Sequence, residues 1–90
     1  MVEKTVEISN PIGLHARPAA IFVQAAGKFT SHIWLIKGEK RVNAKSIMGL
    51  MSLAISKGTT VVIGADGEDE DLAVNELVEL IQSGFKDFEY

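Results

Sequence analysis

Apolar positions along this chain change period several times, and each change marks the edge of an element. Val2, Val6 and Ile8 alternate with Glu3, Thr5 and Glu7, which predicts a strand with one buried face. Ser9 to Leu14 contains the turn residues Asn10, Pro11 and Gly13. Beyond it Ala19, Ala20, Phe22, Val23 and Ala26 recur at roughly helical spacing, so a helix begins at or just after His15 and runs to about Lys28. Pro18 suits the first turn of that helix, where a missing N–H costs no intrahelical bond. Ile33, Trp34, Leu35 and Ile36 make a strand of His32 to Lys37, and Gly38-Glu39 turns it into Arg41-Val42-Asn43 as a hairpin.

Ser46 stands where an N-cap belongs, followed by Ile47, Leu50, Met51 and Ala54 at helical spacing. Gly49 costs about 1 kcal/mol relative to alanine inside a helix, so this helix should be short. Lys57-Gly58 is a turn, Thr59 to Ala65 a β-branched strand, and Asp66-Gly67 its end. Glu68, Asp69, Glu70 and Asp71 then crowd the start of a long helix, the end its dipole favours for acids. Val74, Leu77, Val78 and Ile81 form its buried stripe, and Gly84 is placed to cap its C-terminus. In the aromatic tail Phe85 to Tyr90, Phe85 and Phe88 are expected to pack against the sheet.

The element order is therefore βαββαβα. It predicts an α+β fold, a four-stranded, mainly antiparallel sheet with three helices on one face, as one domain spanning residues 1–90. A ferredoxin-like arrangement has a similar element order and is the rival. No repeat or linker divides the chain.

Composition narrows the class. A 47% apolar content is ample for a core, although a chain of 90 residues buries only about 60–65% of its unfolded surface. No apolar run reaches the ~18–20 residues that span a bilayer, and Met1 to Thr5 lacks a signal-peptide pattern, so a cytoplasmic protein without membrane insertion is expected. The absence of cysteine excludes disulfides and thiolate metal sites, and with His15 and His32 as the sole imidazoles neither a metal site nor a cofactor is predicted. The net charge of −3 hides an asymmetry: residues 1–60 carry eight basic and three acidic side chains, net +5, and residues 61–90 one basic and nine acidic, net −8. An acidic protein surface is thus a natural partner for the first part. Nucleic acid is not expected, because no basic run is interleaved with aromatics.

The candidate chemistry sits in Ile12-Gly13-Leu14-His15-Ala16-Arg17-Pro18. Placing His15 at a helix start leaves the N–H groups of Ala16 and Arg17 free at the positive end of the dipole, where phosphate binds readily. The Arg17 guanidinium adds a planar fork of donors suited to phosphate oxygens. A neutral imidazole is nucleophilic near physiological pH, so His15 is a candidate phosphoryl acceptor. The ordinary alternative is a capping histidine beside a solvated arginine. His32 lacks this context and reads as a surface residue at a strand end.

Gly13-Leu14-His15-Ala16-Arg17-Pro18 resembles the active-site motif of the HPr family, the histidine-containing phosphocarriers of the bacterial phosphoenolpyruvate-dependent sugar phosphotransferase system. Asn43 to Leu53 resembles the regulatory-serine segment of its Gram-positive members, and the likeness runs from about Glu3 to Gly84. It implies an open-faced β-sandwich, and a carrier with a covalent phosphohistidine at His15 rather than a turnover enzyme. It further implies that His15 takes phosphate from enzyme I and passes it to enzyme IIA domains, with Arg17 and the amides of Ala16 and Arg17 as its contacts. By the same likeness Ser46 is phosphorylated by HPr kinase/phosphorylase. Ile47, Met48 and Met51 would form the partner-binding patch shared by enzyme I, enzyme IIA and the catabolite-control repressor. A monomer is expected. Serine is also a common N-cap with no regulatory role, and apolar residues on a short helix are commonly core. Two competing readings are a co-repressor acting through phospho-Ser46, like the family's catabolite-repression paralogue, which lacks the active histidine, and a ferredoxin-like ligand-binding module. Ala20 stands where many Gram-positive members have threonine, and Ile12 where a small polar residue is common.

Overall fold

The computed structural model describes residues 1–11 and 13–85. Its elements follow the predicted order: β1 (Val2–Glu7), α1 (Ala16–Gly27), β2 (His32–Lys37), β3 (Lys40–Asn43), α2 (Ile47–Ser52), β4 (Thr60–Asp66) and α3 (Glu70–Gln82). They form a four-stranded sheet in the order β1-β4-β2-β3, and each of its three pairings is antiparallel. Boundaries differ from the predicted ones by a residue or two, as frayed ends do. α3 starts later than its acidic run, at Glu70, with Asp69 as its N-cap.

Strand alternation separates two faces. Val6, Ile33, Leu35, Val61, Ile63 and Ala65 point into the core, where α3 packs on β1 and β4, α2 packs on β3, and α1 packs on both other helices. Leu14, Phe22, Leu50, Leu77 and Ile81 fill that layer with no exposed surface. The opposite face has no helices, and Trp34 covers it. Its indole lies so close over Gly64 that a Cβ there would overlap the ring. Its Nε1 donates to Glu3 Oε2 at 3.1 Å, and the Arg41 guanidinium sits 4.2 Å from its centroid. His32 is exposed at the start of β2, as expected of a surface residue, with its ring 5.6 Å from that of Trp34.

α3 ends in a Schellman motif, with Gly84 N–H donating to Ile81 O and Phe85 N–H to Leu80 O. Phe85 is fully buried, whereas Phe88, like Ile12, lies outside the described residues. No helix among the described residues is long and apolar enough to cross a membrane.

Candidate functional site at the start of the first helix

His15 occupies the N-cap position of α1 with extended backbone (φ −112°, ψ 152°), yet its side chain makes no cap hydrogen bond. The imidazole is exposed and bonds to no other described residue, so the capping alternative does not describe it. The N–H groups of the first turn of α1 precede the first intrahelical bond. Pro18 is buried in the first turn, Arg17 is exposed without an ion pair among the described residues, and no acid occupies that turn. An anion approaching His15 would therefore meet backbone donors and positive charge, with no competing carboxylate on the same turn.

The turn ahead of His15 is braced from a distant segment. Gly13 has φ 62°, and a Cβ there would fall on the Ile55 carbonyl and 2.7 Å from Ser56 Cα. Leu14, fully buried, donates its N–H to Ile55 O at 3.1 Å. Asn10, also buried, donates Nδ2–H to Gly13 O at 2.7 Å and accepts Gly13 N–H on its carbonyl at 3.1 Å. Below this turn, Ile8 and the 58–59 segment exchange two backbone hydrogen bonds.

Ser46 caps α2 as predicted: its Oγ accepts Gly49 N–H at 3.1 Å, and its backbone is extended. The apolar residues of α2 divide between two sides. Leu50 and Leu53 are core, while Ile47, Met48 and Met51 are 37%, 80% and 45% exposed. α2 packs on α1, and the segments on either side of α2 reach opposite ends of it. Lys45, beside Ser46, reaches the far end of α1 with a 2.7 Å bond from Nζ to Phe29 O, whereas the exit of α2 reaches the His15 end through Ile55. The apolar strip of α2 thus spans the distance between Ser46 and the start of α1.

Sequence reasoning missed Ile55 and two lysines. Lys45 holds Phe29 O, and Lys37 donates to both Leu53 O at 2.9 Å and Ala54 O at 3.2 Å. These contacts join residues 16 or more positions apart, and no local pattern marks them. Among the described residues no three His, Cys, Asp or Glu side chains gather as a metal site would require.

An open-faced sandwich with an exposed histidine at the start of its first helix defines a class of small α+β proteins. The PTS-HPr family, described as the PTS HPr component phosphorylation site, matches residues 2–83, and the chain belongs to it. HPr-like protein Crh of Bacillus subtilis is 56% identical over 82 residues, covering 91% of this chain and 96% of that protein. The crystal structure of HPr-C-His from Thermoanaerobacter tengcongensis superposes with a TM-score of 0.94 at 56% identity, covering 99% of this chain and 100% of that one. A crystal structure of Crh of Bacillus subtilis, described as a dimer with an unexpected swapping domain, gives a TM-score of 0.75 at 55% identity, covering 93% of this chain and 97% of that one. The near-complete superposition on an HPr sets aside the ferredoxin-like rival.

Proposed function

We propose that this chain is the phosphoryl carrier of a sugar phosphotransferase system, taking phosphate from phospho-enzyme I on His15 and delivering it to enzyme IIA domains. The observation that carries this reading is that His15 sits at the N-cap position of α1 without capping, its imidazole exposed beside the first-turn amides of that helix. In the forward step an unprotonated imidazole nitrogen attacks the phosphorus, and the phosphorus–donor bond breaks with its electron pair leaving on the donor. Delivery runs the same exchange onto the acceptor. The chain's part is to position the imidazole and stabilise the transferring oxygens, which is most of what phosphoryl transfer asks of a protein. The amides of Ala16 and Arg17 and the Arg17 guanidinium supply that stabilisation.

Ile47, Met48 and Met51 are the surface on which partners dock; exposed methionines adapt to several of them. Phosphorylation of Ser46 by HPr kinase/phosphorylase would add about −1.5 to −2 charges at one end of this strip. That charge would change which partners the strip accepts, the catabolite-control repressor among them, and leave the His15 turn in place. The carrier works in the cytoplasm as a monomer, in contrast to the dimers described for an HPr of Thermoanaerobacter tengcongensis and for Crh of Bacillus subtilis.

A co-repressor acting mainly through phospho-Ser46 is the second reading, favoured by the 56% identity to Crh. The HPr of Thermoanaerobacter tengcongensis matches it at 56%, and His15 tips the balance toward the carrier. Replacing His15 by alanine should abolish transfer from phospho-enzyme I and leave the circular dichroism and unfolding midpoint unchanged. Transfer retained by that variant would refute the assignment.

A further inference from the structure

His15 is held from one side by its own helix and from the other by a strap that begins on β2. The strap runs through four residues. Lys37, at the end of β2, donates its ammonium to the carbonyls of Leu53 and Ala54, at 2.9 and 3.2 Å. Those carbonyls belong to the C-terminal end of α2, where a cation is favoured. Ala54 follows in the left-handed region, with φ 51°, a conformation that non-glycine residues adopt only when their surroundings enforce it. Ile55, fully buried, then presents its carbonyl to Leu14 N–H and its backbone to the face of Gly13. His15 is the next residue after Leu14.

We propose that Lys37 is a positioning residue for His15, acting through Ala54 and Ile55. Its ammonium holds the turned Ala54 carbonyl, which aims the Ile55 carbonyl at Leu14 N–H and fixes the turn that presents the imidazole. The inference rests on the carrier reading for its consequence, though not for its geometry. Positioning errors of about 1 Å in a reacting group can cost on the order of a hundredfold in rate. Freeing a strap one residue removed should cost less, about tenfold.

The test compares the full-length chain with Lys37→Met, Lys37→Arg and Lys40→Met. Lys40 pairs with Lys37 in the hairpin register and is exposed, so its loss removes the same charge without touching the strap. Phosphoryl transfer from phospho-enzyme I is measured with amide exchange at Leu14. Lys37→Met should lower the transfer rate about tenfold at unchanged KM and speed Leu14 exchange by a similar factor. Lys37→Arg should restore both, and Lys40→Met should leave both as in the wild type. A transfer rate within about twofold of wild type in Lys37→Met, a loss shared by Lys40→Met, or failure of arginine to rescue would overturn the proposal. If Lys37→Met does not fold, Lys37→Gln, whose uncharged amide ends one bond short of the lysine nitrogen, is judged by the same criteria. If the wild-type chain accepts no phosphate, the carrier reading fails, and Leu14 exchange alone decides whether the strap exists: unchanged exchange in Lys37→Met overturns it.

Discussion

Asp69 shows how one side chain can close a junction far from its own backbone. Its carboxylate accepts from the Ser31 hydroxyl, from Thr30 N–H at 2.9 Å and from Ser31 N–H at 3.0 Å, tying the start of α3 to the entry of β2. The Ser31 hydroxyl bond is the largest cause, followed by the Thr30 amide, of an Asp69 pKa lowered from 3.8 to about 2. A carboxyl depressed by folding stabilises the fold wherever it is ionised in both states, and that contribution disappears as protons reach the folded form. Stability should therefore be intact above pH about 4 and decline as pH falls toward 2, and Asp69→Asn should flatten this decline. Urea unfolding followed by the fluorescence of Trp34, the sole tryptophan and 2% exposed, measures both curves. An equally steep decline in Asp69→Asn would assign the acid sensitivity to other groups.

α2 has two roles, and its six residues show why. Leu50 and Leu53 anchor it in the core, which leaves Ile47, Met48 and Met51 outward because helical spacing cannot turn them in as well. Its start depends on Ser46, whose Oγ holds Gly49 N–H. On the proposed reading Ser46→Ala should remove the kinase's target, and the lost cap should cost about 1 kcal/mol of stability. Phosphate incorporation and the thermal midpoint read the two effects, and incorporation retained by the variant would move the regulatory site elsewhere. Much of this was legible in the sequence, because a cap, a 3.6-residue stripe and a surplus of apolar residues are coded within a few positions. The same holds for the histidine before Pro18 and for the alternating strands. The brace behind His15 was not legible. Gly13 announced a turn, yet nothing near it indicated that residue 55 would fill the space a side chain needs, or that Lys37 would hold residues 53 and 54. Those contacts exist only once the sheet order has brought the hairpin and the exit of α2 together.

Charge and topology together orient the whole molecule. The acidic residues gather in the last third, many on α3, whereas Arg17 in the first turn of α1, the hairpin residues Lys37, Lys40 and Arg41, and Lys45 and Lys57 on either side of α2 carry most of the basic charge. At the His15 end Arg17 stands in a helical turn without acids, which on the proposed reading suits an acidic partner whose encounter rate falls as salt screens the attraction. The sheet's uncovered face, closed by Trp34 over Gly64, leaves the helical side to carry the chemistry. On the proposed reading this fold presents one phosphorylatable imidazole, that of His15. Native mass spectrometry after incubation with phosphoenolpyruvate and active enzyme I tests it most directly. The expected species is a single protomer carrying one acid-labile phosphoryl group, which peptide mapping places on His15. An unmodified chain or a phosphate mapped to another residue would contradict it.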